Sequence, residues 1–135
     1  MQLGTRKLVA DYDSSSDTLF LSNKNEKAAR SLIIGDVIVD YAKDNTVVGM
    51  EFLNATETIK PLLIACPNVF LEGKDRLKSS VLEEISKANA ATFTSANMII
   101  LAFVLQFNKV ALEGKLSVPM PTIEQRYAAR NLAVT

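Results

Sequence analysis

The chain has 135 residues, enough for one domain that buries roughly two thirds of its unfolded surface. Hydrophobic residues make up 48% and charged residues 22%, a balance that excludes a disordered chain, and 15 Lys and Arg offset 15 Asp and Glu. A net charge of zero provides no basic footprint for nucleic acid, and the lack of any His removes Ser–His–Asp and Cys–His nucleophile systems and the usual zinc sites.

Residues 5–54 are expected to form an antiparallel β-meander. From Lys7 to Tyr12 the pattern alternates, with Leu8, Ala10 and Tyr12 on one face. Asp13, the serines at 14–16 and Asp17 supply side chains that bond their own backbone in turns. Leu19 and Leu21 then oppose Thr18, Phe20 and Ser22. A charged loop leads to a strand over about 32–41, interrupted at Gly35 and Asp36, with Val37, Val39 and Tyr41 facing one way. A fourth strand over 47–53 places Val48, Met50 and Phe52 on its core side. Short alternating runs joined by polar turns read as a meander.

Asn54 with Glu57 three residues on has the capping-box relation for a short helix, which Pro61 limits or restarts. The central helix is expected over about 75–89. Leu77, Val81, Ile85 and Ala88 recur at steps of four, four and three, Leu82 widens the stripe, and Glu83 and Lys87 form an i,i+4 pair. A C-terminal β-hairpin follows over about 97–118: an apolar strand from Met98 to Phe107, a turn at Asn108 and Lys109, and an alternating strand with Gly114 on its apolar side. Pro119 and Pro121 stop it, and Ile123 and Tyr127 have the spacing of one further short helix.

Three pieces of the meander carry a resemblance. They are Tyr12-Asp13-Ser14-Ser15-Ser16-Asp17-Thr18-Leu19-Phe20, Val37-Ile38-Val39-Asp40-Tyr41, and Val47-Val48-Gly49-Met50-Glu51-Phe52-Leu53-Asn54-Ala55. In this order they resemble the family known as Domain of Unknown Function 2283, over about residues 8–58. Here Phe20 stands where that family has Tyr, and Met50 and Phe52 where it has Ile. The resemblance implies a four-stranded meander ending in a short helix, and no catalytic set. Some small members look like partners of toxin-like genes, which makes an antitoxin-like binder an alternative by analogy.

Among acidic residues, Asp11, Asp13 and Asp17 invite a calcium-loop reading, but Ser15, Ser16 and Ser22 stand where that loop needs a ligand, a Gly and a Glu. They read instead as turn residues. Asp36, Asp40 and Glu51 are the remaining ligand candidates, because positions two or four apart on a strand share a face. The five glycines are scattered and form no phosphate loop. Cys66, the single cysteine, excludes an intrachain disulfide and reads as a buried inert thiol.

The remaining feature is residues 98–105, apolar on both faces of a strand, so both faces need cover. It falls well short of the ~20 residues that cross a bilayer as a helix. Nor do residues 1–11 hold the apolar core of a secretory signal. The expectation is a soluble, cytoplasmic α+β protein with a single domain over 1–135, in which the extension 59–135 adds a helix and hairpin to the meander of 1–58. Its expected role is non-enzymatic: a homo-oligomer, a dimer first, or a binder of a protein partner, with no cofactor, no metal and no membrane. The alternative is a small-molecule- or metal-binding protein or weak hydrolase using Asp36, Asp40 and Glu51.

Overall fold

In the computed structural model, residues 2–119 are described except 45 and 96, with backbone alone at 2–6, 94–95, 99 and 118–119. The strands are β1 (Gln2–Asp13), β2 (Thr18–Ser22), β3 (Arg30–Ile34), β4 (Val37–Tyr41), β5 (Val47–Phe52), β6 (Ile85–Ser95), β7 (Met98–Phe107) and β8 (Val110–Pro119). They form one eight-stranded sheet in the order β3-β4-β5-β2-β1-β6-β7-β8. Every pairing in it is antiparallel. Helical structure is brief: α1 (Ala55–Thr58), α2 (Ser79–Glu83), and 3₁₀ turns at Lys60–Leu62 and Asn68–Phe70. The α+β expectation therefore holds only loosely, because strands dominate.

The alternation read from the sequence becomes a ladder of apolar rows on the inner face. One row runs Tyr12, Leu19, Phe52, Val37, Ile34; the next runs Ala10, Leu21, Met50, Val39, Leu32. Beyond β1 the rows continue as Leu8, Ala88, Leu105, Leu112 and as Ala90, Phe103, Gly114. Ala55, Ile59, Leu77, Val81 and Leu82 from the 55–84 segment pack into the same core cluster. Each fully buried Leu, Val or Phe contributes about 1.5–3 kcal/mol, so this single covered face supplies most of the driving force.

Several expectations need correction. The strand expected over 32–41 is a hairpin, because Gly35 takes φ +56° and turns the chain between Ile34 and Val37. The N-terminal unit thus has five strands, and it is no plain meander, since β5 returns to pair with β2. A register shift between Asp40 and Tyr41 sets Val47 opposite Tyr41 and into the core cluster, leaving Val48 buried outside it. The helix expected over 75–89 shrinks to α2, and Lys87 lies in β6 rather than one helical turn after Glu83. The physical reason is that a spacing of four satisfies both periods, two and 3.6. From Ile85 onward the chain gains a ladder with β1 on one side and β7 on the other, which outweighs local helix preference. The C-terminal hairpin is as expected, with Asn108 at φ 53° in its turn, and it extends the sheet. The short helix expected near Ile123 and Tyr127 lies outside the described residues.

The sheet ends differ. β8 is met by the segment after the first 3₁₀ turn, where Leu63 bridges Gly114 and the Ile64 N–H donates to the Glu113 carbonyl at 2.9 Å. β3 closes the other end, beside β4. No helix among the described residues is long and apolar enough to cross a membrane.

Candidate functional site

The capping box expected at Asn54 does not form. Asn54 sits at φ 50°, ψ 50°, and its side chain makes no cap hydrogen bond. Its place is taken from across the fold by the β1–β2 turn. The Asp17 carboxylate accepts from the Thr56 hydroxyl at 2.6 Å, from the Thr56 N–H at 3.2 Å and from the Tyr12 hydroxyl at 2.7 Å. The Ala55 N–H donates to the Asp17 carbonyl at 2.8 Å. Glu57, freed from the box, pairs with Arg76 at 3.3 Å on the surface. Burial first, and then the bond to Asp17, push the Tyr12 phenol well above its ordinary pKa. Asp17 is thus a structural node that joins turn, helix and sheet.

The other turn aspartates part company. Asp13 accepts from the Ser15 N–H at 3.0 Å and hydroxyl at 2.6 Å, and these bonds hold its carboxyl below the usual range. Asp11 is exposed on β1. Among the described residues no three Asp, Glu or Cys side chains converge as a metal site would require.

Of the three ligand candidates, the structure brings two together. Asp40 on β4 and Glu51 on β5 point to the outer face of neighbouring strands, diagonal to one another, because Asp40 pairs with Gly49 and Ile38 with Glu51. Ser31 donates its hydroxyl to Asp40. Burial between apolar neighbours, and then the charge of Asp40, raise the Glu51 pKa above its ordinary value. Asp36 stands apart in the β3–β4 turn, exposed, with the Asn54 amide 3.4 Å from its carboxylate. Cys66 is only half-buried, and burial still raises its thiol pKa, with Lys60 opposing. Two open clefts, of about 500 and 750 Å³, are lined mainly by exposed charged and polar side chains of both signs. Neither resembles the apolar, enclosed pocket that holds small ligands.

What the sequence did not reveal is the character of the whole outer face. Its rows include Ile33, Ile38, Glu51 and Phe20, and, across all eight strands, Ser31, Asp40, Gly49, Ser22, Val9, Lys87, Gln106 and Ala111. Val9 is 51% exposed, Ile33 38% and Phe93 36%, while Ile100, Ala102 and Val104 of β7 are half-buried. The signal was present in the two-sided apolar run at 98–105, but it could not show that only the inner side would be fully buried.

One buried group on the inner face has a testable consequence. The Tyr41 hydroxyl is buried without a hydrogen-bond partner, and burial pushes its pKa up to about 12, against the opposing pull of Arg30. Tyr41→Phe is expected to stabilise the protein by roughly 1 kcal/mol at neutral pH, since no bond is lost. A raised phenol pKa stabilises below the unfolded value near 10.0 and loses that contribution as pH climbs through about 12. Urea titrations at neutral and alkaline pH should therefore show a larger alkaline loss for the native chain than for Tyr41→Phe.

Comparison with known proteins adds a family match over part of the chain and no activity. Residues 10–55 match the family described as Protein of unknown function (DUF2283). An uncharacterized protein of Methanocaldococcus jannaschii is 33% identical over 51 residues, which are 38% of this chain and 44% of that one. The chain thus spans under half the length of the curated relative it matches. No solved structure matches it. The resemblance read from Tyr12–Phe20, Val37–Tyr41 and Val47–Ala55 holds, since the matched residues 10–55 take in all three pieces.

Proposed function

We propose that this chain is a non-enzymatic domain that self-associates, or binds a protein partner, through the outer face of its sheet. The observation that carries this is β7. Leu101, Phe103 and Leu105 are buried on its inner side, while Ile100, Ala102 and Val104 face outward, half-buried and outside the core cluster. With Val9, Phe93 and Ile33 they spread apolar surface across a face that water must otherwise wet. The grouping of acid–base residues argues the same way, because only Asp40 and Glu51 of the candidate carboxylates come together, and they do so on this open face. Sedimentation velocity at micromolar concentration should show the native chain above monomer mass. Val9→Asp, a change at an exposed position, should weaken association by roughly tenfold while leaving the unfolding midpoint nearly unchanged. A native chain that stays monomeric at high concentration sinks the self-associating form of this proposal.

The second reading is a small-molecule or divalent-cation site on Asp40 and Glu51. It draws on the raised pKa of Glu51 and the nearness of Asp40. Asp36, the third candidate, would have to leave its turn to contribute. An antitoxin-like role rests on family analogy only, and an adjacent toxin-like reading frame would be its support.

A further inference from the structure

The two edges of the sheet are finished differently. β8 contains Lys115, ends at Pro119 and is met along its edge by Leu63 and Ile64. Charge, proline and cover are common guards on a strand edge. β3, at the other end, has neither Lys nor Pro and pairs with β4 alone. The direction of its backbone groups follows from its neighbours. The Leu53 N–H donates to the Asp36 carbonyl at 2.8 Å, so Asp36 turns its carbonyl toward β5 and Val37 turns toward β3. Val39 and Tyr41 turn the same way as Val37, and the Ala29 N–H accordingly reaches the Tyr41 carbonyl at 2.7 Å. Across the ladder Ile34, Leu32 and Arg30 answer them. Backbone groups alternate along a strand, so Ser31 and Ile33 present theirs to the open edge. Among the described residues, no backbone bond from outside the ladder reaches either of them.

An extended segment is what matches such an edge, and a second copy of β3 matches it in every respect. Set antiparallel about a two-fold axis at Leu32, Ser31 of each copy faces Ile33 of the other. The two residues then exchange N–H and C=O bonds in both directions, and no open group on either strand is left over. The inner apolar rows run out at Leu32 and Ile34, both half-buried, and here Leu32 meets Leu32 of the second copy and carries its row on. The ends of β3 also agree in charge. Before and at its start stand Lys24, Lys27 and Arg30 against Glu26, with Lys43 and Asp44 nearby offsetting each other, whereas Asp36 is the charge of the turn at its other end. Antiparallel pairing sets the basic end of each copy beside Asp36 of the other, while parallel pairing would set Asp36 beside Asp36. No flat face is needed. The curl that brings Phe52 against Phe103 lies between β5 and β7, and β3 is two strands outside it.

We infer that the free edge of β3 docks β3 of a second copy, antiparallel about a two-fold axis at Leu32, so that the two sheets become one. This goes beyond the outer-face reading, because it uses backbone groups at the rim of the sheet and no residue of β7.

Cross-linking tests the register. In a full-length Cys66→Ser chain, Leu32→Cys should form a covalent dimer on mild oxidation, since residues facing each other in such a pair have Cα atoms about 4.5 Å apart, within disulfide reach. Ile34→Cys should not, because its two copies would stand about 13 Å apart along the strands. Ile33→Pro removes an N–H that the hairpin leaves unused, and it should weaken association through this edge by roughly tenfold or more in sedimentation velocity. Circular dichroism checks its fold. If the proline is not tolerated, Ile33→Lys sets like charges diagonally across the axis and reads the same contact. In the native chain, amide hydrogen exchange at Ser31 and Ile33 should slow as concentration rises. Exchange there that ignores concentration, or cross-linking through position 34 instead of 32, overturns the inference. Association lost in Val9→Asp but kept in Ile33→Pro overturns the edge and leaves the outer face standing, whereas the reverse leaves the edge and removes the face.

Discussion

Replacing Asp17 by Ala is expected to cost the fold roughly 3 kcal/mol, far more than an exposed turn residue ordinarily does. The Asp17 carboxylate accepts from Tyr12, from the Thr56 hydroxyl and from the Thr56 N–H. Losing an N-cap acceptor alone costs about 1 kcal/mol, and hydrogen bonds to a charged group contribute about 1.5–3 kcal/mol. Asp17 also holds φ 52°, a left-handed conformation that Asp tolerates and Ala resists. Asn at this position keeps that tolerance and part of the acceptor geometry, so Asp17→Asn should cost only about a third as much. The control is Arg76→Ala. Arg76 donates to Thr56 and pairs with Glu57, but both ion-pair partners are about half exposed or more, at 49% and 62%. Its loss should stay under about 0.5 kcal/mol. Urea midpoints for the three variants settle the ranking. Equal effects from Asp17→Ala and Arg76→Ala would mean that the turn does not anchor α1.

How much of this was legible in the residues depends on which period each segment could support. Leu8, Ala10 and Tyr12, or Val37, Val39 and Tyr41, admit only a strand, and there the inner face was readable residue by residue. Leu77, Val81 and Ile85 admit either state, so their burial was legible while their secondary structure was not. The partner that decided it, β1, lies some eighty residues earlier in the chain. Helix α1 shows the same limit. Asn54 and Glu57 have the local chemistry of a cap, yet the acceptor that caps Thr56 is 39 residues away, and Glu57 is drawn to Arg76 instead. For the candidate site, same-face alternation sufficed to group Asp40 with Glu51. It failed for Asp36 because Gly35 bends the backbone one residue before it.

Gly114→Ala should destabilise the protein by about 2–3 kcal/mol, although most Gly→Ala changes in ordered structure gain a few tenths through the unfolded chain. Gly114 pairs directly with Phe103, and a Cβ there would lie 2.1 Å from Phe103 Cζ and 2.5 Å from Cε2. The ring has no easy retreat. Phe103 is 1% exposed, and its centroid is 5.5 Å from that of Phe52. The strand has little freedom either, since β7 holds β8 on one side and Leu63 bridges Gly114 on the other. Relief must therefore come from the ring's volume. Phe103→Leu alone should cost about 1–2 kcal/mol through the cavity it leaves, and it opens the space a Cβ at 114 needs. In the double variant the methyl fills part of that cavity, so the combined loss should fall short of the sum by about 1–2 kcal/mol. A double-mutant cycle from urea unfolding measures that coupling. Strict additivity would show that the two residues do not press on each other, and that the Phe103 ring is not what keeps position 114 free of a side chain.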